Sequence, residues 1–250
     1  MLFIDTHCHI HEADYPLDAD EVLERARQSD VLKLICVGTN EQSSQDAVVF
    51  SGSHQGVFAA VGVHPHDTKD GFSKITQLAK ASDNVVAVGE IGLDYFYTHS
   101  PREVQALALE SQIQTALDHD LPIIFHVREA FEDFWPIFDN FHGIRGELHS
   151  FTDNQSNLEE GLKRGLYIGV NGISTFTKDA AQQRLFAQLP LDRLLLETDA
   201  PFLTPAPKRG TVNEPAFVKL VAEYQATVRG VSLQTIADAT TSNATKLFVL

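Results

Sequence analysis

The strongest constraint on the fold is an alternation of short apolar segments with longer amphipathic segments along the whole chain. Eight apolar, β-prone segments can be counted, and a helical pattern follows each of them. The predicted strands are Leu2 to Thr6, Leu32 to Val37, Val57 to Val63, Val85 to Glu90, Ile123 to His126, Gly146 to His149, Tyr167 to Val170 and Leu194 to Thr198. The predicted helices are Asp20 to Ser29, Ser43 to Phe50, Lys74 to Ala81, Pro101 to His119, Glu129 to Phe138, Asn154 to Arg164, Ala180 to Leu189 and Glu214 to Val228, with one more from Ser232.

Eight strand and helix units in 250 residues indicate an α/β fold of the (β/α)8 or TIM barrel class, whose buried parallel strands have continuous apolar sequences. A doubly wound open sheet is the alternative, but no glycine-rich phosphate-binding loop follows an early strand. No linker rich in glycine, proline or serine divides the chain, so a single domain is predicted over residues 1–250. The irregular segment Ala200 to Pro215 is expected to be a loop on the face where barrel active sites lie.

The charge balance limits how the chain could bind nucleic acid. The chain contains 19 lysines and arginines and 34 aspartates and glutamates, which gives a net charge of −15. Such a molecule repels a phosphate backbone, so counterion release cannot supply strong nonspecific binding to a duplex. A DNA substrate would therefore have to be held locally, at ends or single strands.

Cysteine content and hydropathy predict a cytoplasmic protein. Two cysteines, Cys8 and Cys36, cannot form a disulfide framework in a chain of this size, which indicates a reducing compartment. The N-terminal residues lack the basic region and apolar core of a signal peptide. The longest apolar run, Val57 to Val61, is far too short to cross a membrane. No membrane association and no obligate protein partner are expected.

Metal-binding side chains end five of the eight predicted strands. In a (β/α)8 barrel the reacting groups lie at the carboxyl ends of the strands, so these side chains should converge. Side chains alternate along a strand, which places His7 and His9 on one face and points Cys8 away. The other candidates are Glu90, His126, His149 and Asp199. Any one of them alone is more often a hydrogen-bonded structural residue, but four imidazoles and two carboxylates together predict two metal ions that share a bridging carboxylate.

Two further residues are candidates for contacts to an anionic substrate. His64 ends the third predicted strand, and either a contact to a substrate phosphate or a structural role explains it. Arg128 follows His126 by two residues, so the two should share a strand face. Its guanidinium could hold an anionic group, and a surface ion pair is the alternative. Lys208 and Arg209, in the loop after the last strand, could also reach a substrate or lie solvated.

The motifs occur in a fixed order along the chain. They are DTHCH at 5 to 9, GVHP at 62 to 65, GEIGLDY at 89 to 95, HVR at 126 to 128, HSF at 149 to 151, ETDAP at 197 to 201, RGTVNEP at 209 to 215 and NATKLF at 243 to 248. A single motif such as the HxH at His7 and His9 is a weak signal. The ordered set closely resembles the signature blocks of the TatD-type metal-dependent deoxyribonucleases.

The resemblance implies a hydrolase with a binuclear metal centre. By that likeness His7, His9, Glu90 and Asp199 would hold one ion, and Glu90, His126 and His149 would hold the other. From the chemistry of such a site, we expect Asp199 also to accept the proton of the attacking water, and Arg128 and His64 are the candidates for contacts to the substrate phosphate. Mixed histidine and carboxylate ligands suit zinc or manganese better than magnesium, although magnesium is a third candidate.

Two enzymatic functions are therefore consistent with the predicted site. The favoured one is phosphodiester hydrolysis on DNA, of the 3′–5′ exonuclease type. The alternative keeps the metal centre and changes the bond, as in a D-aminoacyl-tRNA deacylase or an enzyme that hydrolyses small esters or lactones. Strand four ends in Glu90 with no lysine nearby that could be carboxylated, which favours the nuclease. A structural metal protein is disfavoured, because structural metal sites are closed and seldom spread over five strand ends.

Overall fold

The structure is a computed structural model and describes residues 1–97 and 99–250. Its strands are β1 (Phe3–Cys8), β2 (Val31–Val37), β3 (Val57–Val61), β4 (Val85–Asp94), β5 (Ile123–Arg128), β6 (Gly146–Leu148), β7 (Tyr167–Val170) and β8 (Leu194–Leu196). The α-helices are α1 (Ala19–Gln28), α2 (Glu41–Ser53), α3 (Ile75–Leu78), α4 (Arg102–Asp118), α5 (Phe131–Asp139), α6 (Gln155–Lys163), α7 (Ile173–Phe176), α8 (Ala180–Gln188), α9 (Val218–Arg229) and α10 (Leu233–Phe248).

The strands form one eight-stranded sheet in the order β1 to β8. The pairs β3–β4, β4–β5, β5–β6 and β7–β8 are parallel, and Cys8 forms a parallel bridge with Ala200 just after β8. Parallel neighbours in chain order, separated by helices, are the pattern of the (β/α)8 barrel. The predicted fold class is confirmed.

Strand boundaries differ from the prediction by a few residues, and the largest difference is at the end of β4. β4 continues past Glu90 to Asp94, because Gly92, Leu93 and Asp94 pair with His126, Val127 and Arg128 of β5.

Some helix boundaries also differ from the prediction. α9 begins at Val218 and not at Glu214, since a short 3-10 helix over Pro215–Phe217 comes first. The helix predicted over Lys74 to Ala81 is a single turn, Ile75–Leu78, and α7 was not predicted.

Helix starts follow from local capping chemistry. The side chains of Asp18, Asn40, Asn154, Asp179 and Ser232 each accept a hydrogen bond from a backbone N–H in the first turn of α1, α2, α6, α8 and α10 respectively. These short polar residues satisfy amide groups that have no partner inside the helix. The polar residues between the apolar segments therefore mark where each helix begins.

The chain consists of two compact units. One consists of Met1–Ile35 with Ser150–Leu250, and the other of Cys36–His149. In the first unit α10 packs against β1 and β8, and Ile236 and Leu195 are fully buried. In the second, α4 packs on β4, and Val88 and Phe125 are fully buried. The assignment of residues 1–250 to one domain stays a prediction.

Membrane association was predicted to be absent on the basis of hydropathy. Across residues 1–97 and 99–250, none of the helices combines the length and the apolar character that a membrane span requires.

Gly92 lies where the backbones of β4 and β5 approach each other closely. Its φ is +155°, and a Cβ atom added there would overlap the backbone oxygen of His126. Gly92→Ala is therefore expected to destabilise the protein by about 3 kcal/mol, and to lower its melting temperature by roughly 6 to 12 °C. Thermal unfolding followed by circular dichroism measures the effect.

Gly52→Ala is the matched control for Gly92→Ala. Gly52 lies in α2, and an added Cβ there meets no atom within 4 Å. Alanine favours helix over glycine, so this variant should melt at the same or a slightly higher temperature. Equal melting temperatures for both variants would contradict the close approach of β4 and β5.

Candidate metal centre

The first cluster of candidate ligands belongs to the unit built from both chain ends. We call it the β1/β8 cluster, and it consists of His7, His9 and Asp199. The Nε2 atoms of His7 and His9 lie 3.1 Å apart. Asp199 Oδ1 lies 3.3 Å from His9 Nε2 and 3.8 Å from His7 Nε2. Both imidazoles are buried, and the Asp199 side chain is 15% exposed.

A buried carboxylate fixes the backbone of this cluster. Asp5 is fully buried and accepts hydrogen bonds from the N–H and the Oγ1–H of Thr198, at 2.8 and 2.5 Å. It also accepts from the N–H of His7 at 3.4 Å. Burial raises the pKa of Asp5 well above its usual value, and the hydrogen bonds from Thr198 and His7 oppose that shift. Asp5 therefore holds the end of β1 against the segment that follows β8.

Asp199 has a backbone conformation that few residues adopt. Its φ is +58°, in the left-handed region, where aspartate is tolerated better than most residues. Its N–H donates to the carbonyl of His7 at 2.8 Å, and its own carbonyl accepts from the N–H of Phe202 at 2.8 Å. These bonds hold Asp199 beside His7 in a turn that directs its carboxylate to the two imidazoles.

The second cluster belongs to the unit Cys36–His149. We call it the β4/β5/β6 cluster, and it consists of Glu90, His126 and His149. Glu90 Oε2 lies 3.4 Å from His126 Nδ1 and 3.9 Å from His149 Nε2. One ligand atom of each residue lies within 4.8 Å of the other two. Glu90 and His149 are buried, and the His126 side chain is 20% exposed.

Asp94 holds His126 from the side opposite Glu90. Its Oδ2 lies 3.0 Å from His126 Nε2, so the imidazole has one nitrogen toward Glu90 and the other on Asp94. Burial alone would lower the pKa of His126, but the hydrogen bonds with Asp94 and Glu90 outweigh it and raise the pKa. A carboxylate on the outer nitrogen of a histidine ligand orients the ring and increases its basicity.

His64 lies beside His126 with its ring almost buried. The two ring centroids are 4.3 Å apart, and His64 Nδ1 accepts the N–H of His66 at 3.1 Å. That bond leaves the proton of the neutral ring on Nε2. Burial, and then the neighbouring His126, lower the pKa of His64, so the ring is a neutral hydrogen-bond donor. His64, Asp94 and His126 also form a group with ligand atoms within 4.8 Å of one another.

The donor atoms of both clusters suit divalent metal ions. In a tetrahedral zinc site with bonds of 2.0–2.1 Å to nitrogen, neighbouring ligand atoms lie about 3.3 Å apart. The separations of 3.1, 3.3 and 3.8 Å in the β1/β8 cluster bracket that value. The separations of 3.4 and 3.9 Å in the β4/β5/β6 cluster are similar. Imidazole nitrogens with carboxylate oxygens are ligands for zinc and manganese, so the residues fit the predicted group.

Arg128 lies on aromatic rings. Its guanidinium carbon is 3.9 Å from the centroid of the Phe96 ring. Arg209 lies 3.8 Å over the ring of Phe176, and Lys208 lies 5.7 Å from the centroid of Phe217. Cys8 points away from His7 and His9, with its Sγ 3.5 Å from the carbonyl of Ile35.

Asp94 and Asp5 were not singled out by the sequence reasoning. Asp94 follows Glu90 by four residues, and alternation puts both on one face of a strand. This signal is visible in the sequence once β4 is extended through Gly92. Asp5 precedes His7 by two residues, so the same alternation could have marked it as a support for the histidine.

The fold and the two clusters define a class of protein. Groups of histidine and carboxylate ligands in the C-terminal halves of parallel strands or just beyond them, in a (β/α)8 fold, are typical of metal-dependent hydrolases with a barrel architecture. The class leaves open which family the chain represents.

Sequence and structure comparisons identify the family. The model of the TatD related DNase family matches residues 4–249. The uncharacterized metal-dependent hydrolase YabD of Bacillus subtilis is 38% identical over 254 residues, which cover 99% of this chain and 99% of that protein. The 3′-5′ ssDNA/RNA exonuclease TatD of Citrobacter rodentium is 35% identical over 255 residues, covering 98% of this chain and 97% of that protein.

A solved structure gives the same result. The crystal structure of YJJV, a TatD homolog from Escherichia coli K12, superimposes with a TM-score of 0.91 at 30% identity, and the match covers 99% of this chain and 98% of that one. The chain belongs to the TatD related DNase family. It is a metal-dependent hydrolase.

Proposed function

We propose that the protein is a 3′–5′ exonuclease that hydrolyses phosphodiester bonds of single-stranded DNA with two divalent metal ions. The observation that carries the proposal is the presence of two separate donor clusters, each with the ligand spacing of a metal site, in a chain of a DNase family. The β1/β8 cluster would hold one ion, and the β4/β5/β6 cluster, which contains Glu90, would hold the other. Zinc, manganese and magnesium are the candidate ions.

Asp199, His64 and Arg128 have separate roles in the proposed hydrolysis. Bound ions of this kind supply positive charge for the phosphodiester and lower the pKa of an attacking water towards neutrality. Asp199 accepts the proton of that water, and its partial exposure beside two buried histidines gives it access to solvent. His64 donates a hydrogen bond from Nε2 to an oxygen of the phosphate, and Arg128 binds the same group with its N–H edges.

Substrate class and compartment follow from charge and cysteine chemistry. The net charge of −15 disfavours tracking along a duplex and favours a strand end held locally. A relative named as an exonuclease of single-stranded DNA and RNA supports this choice. Both cysteines are buried thiols that are not joined in a disulfide, which supports a reducing, cytoplasmic setting.

Arg128→Ala tests the substrate class. If the protein acts on phosphodiesters, this change should reduce kcat/KM for single-stranded DNA by about 10- to 100-fold, because a charge-assisted contact to the phosphate is lost. The same change should have little effect on an acyl ester or an aminoacyl-tRNA, whose developing charge spreads over fewer oxygens. Steady-state rates on both kinds of substrate give the comparison.

The control for this experiment is Arg145→Ala. Arg145 is an arginine of the same unit that pairs with Asp120 at 2.8 Å. Its loss should leave both activities unchanged. Robust acyl hydrolysis with negligible DNA cleavage by the unmodified protein would overturn the nuclease proposal and support the acyl hydrolase.

A further inference from the structure

Two adjacent aromatic side chains are exposed directly after β4. Phe96 is 48% and Tyr97 is 42% exposed, although neighbouring apolar residues such as Leu93 are fully buried. Their rings meet edge to face, with centroids 4.7 Å apart. We call Phe96 and Tyr97 the aromatic platform. Adjacent large rings that remain exposed to water are typical of a binding surface.

One guanidinium and two imidazole rings contact the aromatic platform. The Arg128 guanidinium carbon lies 3.9 Å from the Phe96 centroid and 5.1 Å from the Tyr97 centroid. The ring of His99 stacks on Tyr97 at 5.5 Å with an angle of 20°, and the ring of His66 meets it edge-on at 5.3 Å. In a chain with a net charge of −15, this combination of a guanidinium with aromatic and imidazole rings is local. It complements a ligand that carries both a flat ring and negative charge.

Asp94 connects the aromatic platform to the candidate metal centre. This carboxylate is 1% exposed, and its Oδ1 accepts the N–H groups of Phe96 and Tyr97 at 3.0 and 3.1 Å. Its Oδ2 lies 3.0 Å from Nε2 of His126. One buried side chain thus fixes both the backbone of the platform and a ligand of the β4/β5/β6 cluster. A molecule bound on the platform lies next to the place where the proposed chemistry occurs.

We propose that the aromatic platform, with Arg128, is a stacking site for a nucleobase of single-stranded nucleic acid, next to the phosphodiester that is hydrolysed. The inference rests on the proposed function and adds the subsite that recognises the substrate. A nucleotide carries a flat base and a negatively charged phosphate. The base can stack on the aromatic rings, and the phosphate can pair with the guanidinium of Arg128. Bases in a duplex are covered by their neighbours, so the platform selects single strands and frayed ends.

The experiment compares two oligonucleotides of equal length and backbone. One carries bases throughout, and the other has tetrahydrofuran in place of the sugar and base at its 3′-terminal nucleotides. The unmodified protein is expected to show a KM about tenfold lower for the oligonucleotide with bases, the effect of stacking one base. In the double variant Phe96→Ala with Tyr97→Ala, the KM for that oligonucleotide should rise about tenfold, to the value for the abasic one.

Two further variants separate stacking from structural damage. The double variant Phe96→Tyr with Tyr97→Phe keeps both rings and should retain the preference for bases. Leu107→Ala removes an apolar side chain of α4 that is 61% exposed, and it should change neither KM. An equal loss on both oligonucleotides in the alanine double variant, or no loss on either, would overturn the stacking site.

A binding measurement keeps this inference distinct from the proposed function. Fluorescence anisotropy with labelled phosphorothioate oligonucleotides, which resist hydrolysis, reports affinity for the metal-loaded protein without turnover. Binding that depends on bases and is lost in the alanine double variant supports the aromatic platform even if the protein cleaves no DNA. Affinity that is the same with and without bases overturns it even if DNA is cleaved.

Discussion

Removal of divalent metal with EDTA is expected to reduce the hydrolysis of single-stranded DNA to background while the protein stays folded. The candidate ligands lie at or near strand ends, whereas the cores of both units consist of apolar side chains such as Val88, Phe125 and Leu195, which are fully buried. Burial of this apolar surface stabilises the fold without help from an ion. Activity and the far-ultraviolet circular dichroism spectrum are measured before chelation, after it, and after return of zinc or manganese.

Two outcomes would contradict this expectation. Hydrolysis that persists after complete removal of metal, verified by elemental analysis, would exclude the two-ion mechanism. A loss of the circular dichroism signal on chelation would instead mean that the ions hold the fold together, as in structural metal sites.

Glu90→Gln is expected to have the largest effect of any single substitution. Glu90 Oε2 lies within 4 Å of nitrogen atoms of both His126 and His149, so its negative charge serves the whole β4/β5/β6 cluster. Glutamine keeps the shape of the side chain and removes the charge. The rate should fall by more than the roughly 100-fold that loss of an outer partner of a metal ligand costs. Metal content and kcat are measured on the same preparation.

Cys8→Ala is the control for Glu90→Gln. Cys8 lies between His7 and His9 in sequence, but its Sγ faces the carbonyl of Ile35, so the change should leave metal content and rate close to those of the unmodified protein. Small and equal effects of the two substitutions would show that the assigned faces of β1 and β4 are incorrect.

The sequence predicted the fold and the ligand types because both depend on local patterns. Parallel strands buried on both faces leave continuous apolar runs, and the alternation of side chains in β1 and the residue after it predicts that His7 and His9 share a face. The contact of Asp94 with His126 could not be predicted in the same way. It joins residues 32 positions apart, and it depends on β4 continuing through Gly92 in register with β5.

The position of Arg128 shows a second limit of sequence reasoning. Its place two residues after His126 predicted a guanidinium on the same strand face as the ligands. The side chain is long and exposed, and its head lies over the rings of Phe96 and Tyr97, which follow β4. Where a flexible side chain ends depends on such tertiary neighbours, which a strand pattern does not contain.

The hydrogen bonds between the two ends of the chain have a consequence for the order of assembly during synthesis. The N–H of Thr198 donates to the carboxylate of Asp5 across 193 positions of sequence, and the β1/β8 cluster depends on that contact. The β4/β5/β6 cluster is contained in the contiguous residues Cys36–His149. The ribosome synthesises the chain from its N-terminus. All residues of the β4/β5/β6 cluster are therefore present before Asp199, the third member of the β1/β8 cluster, has been added. Until translation passes Asp199, the nascent chain contains only one of the two proposed donor clusters, so we expect hydrolysis by the proposed two-cluster centre only late in synthesis.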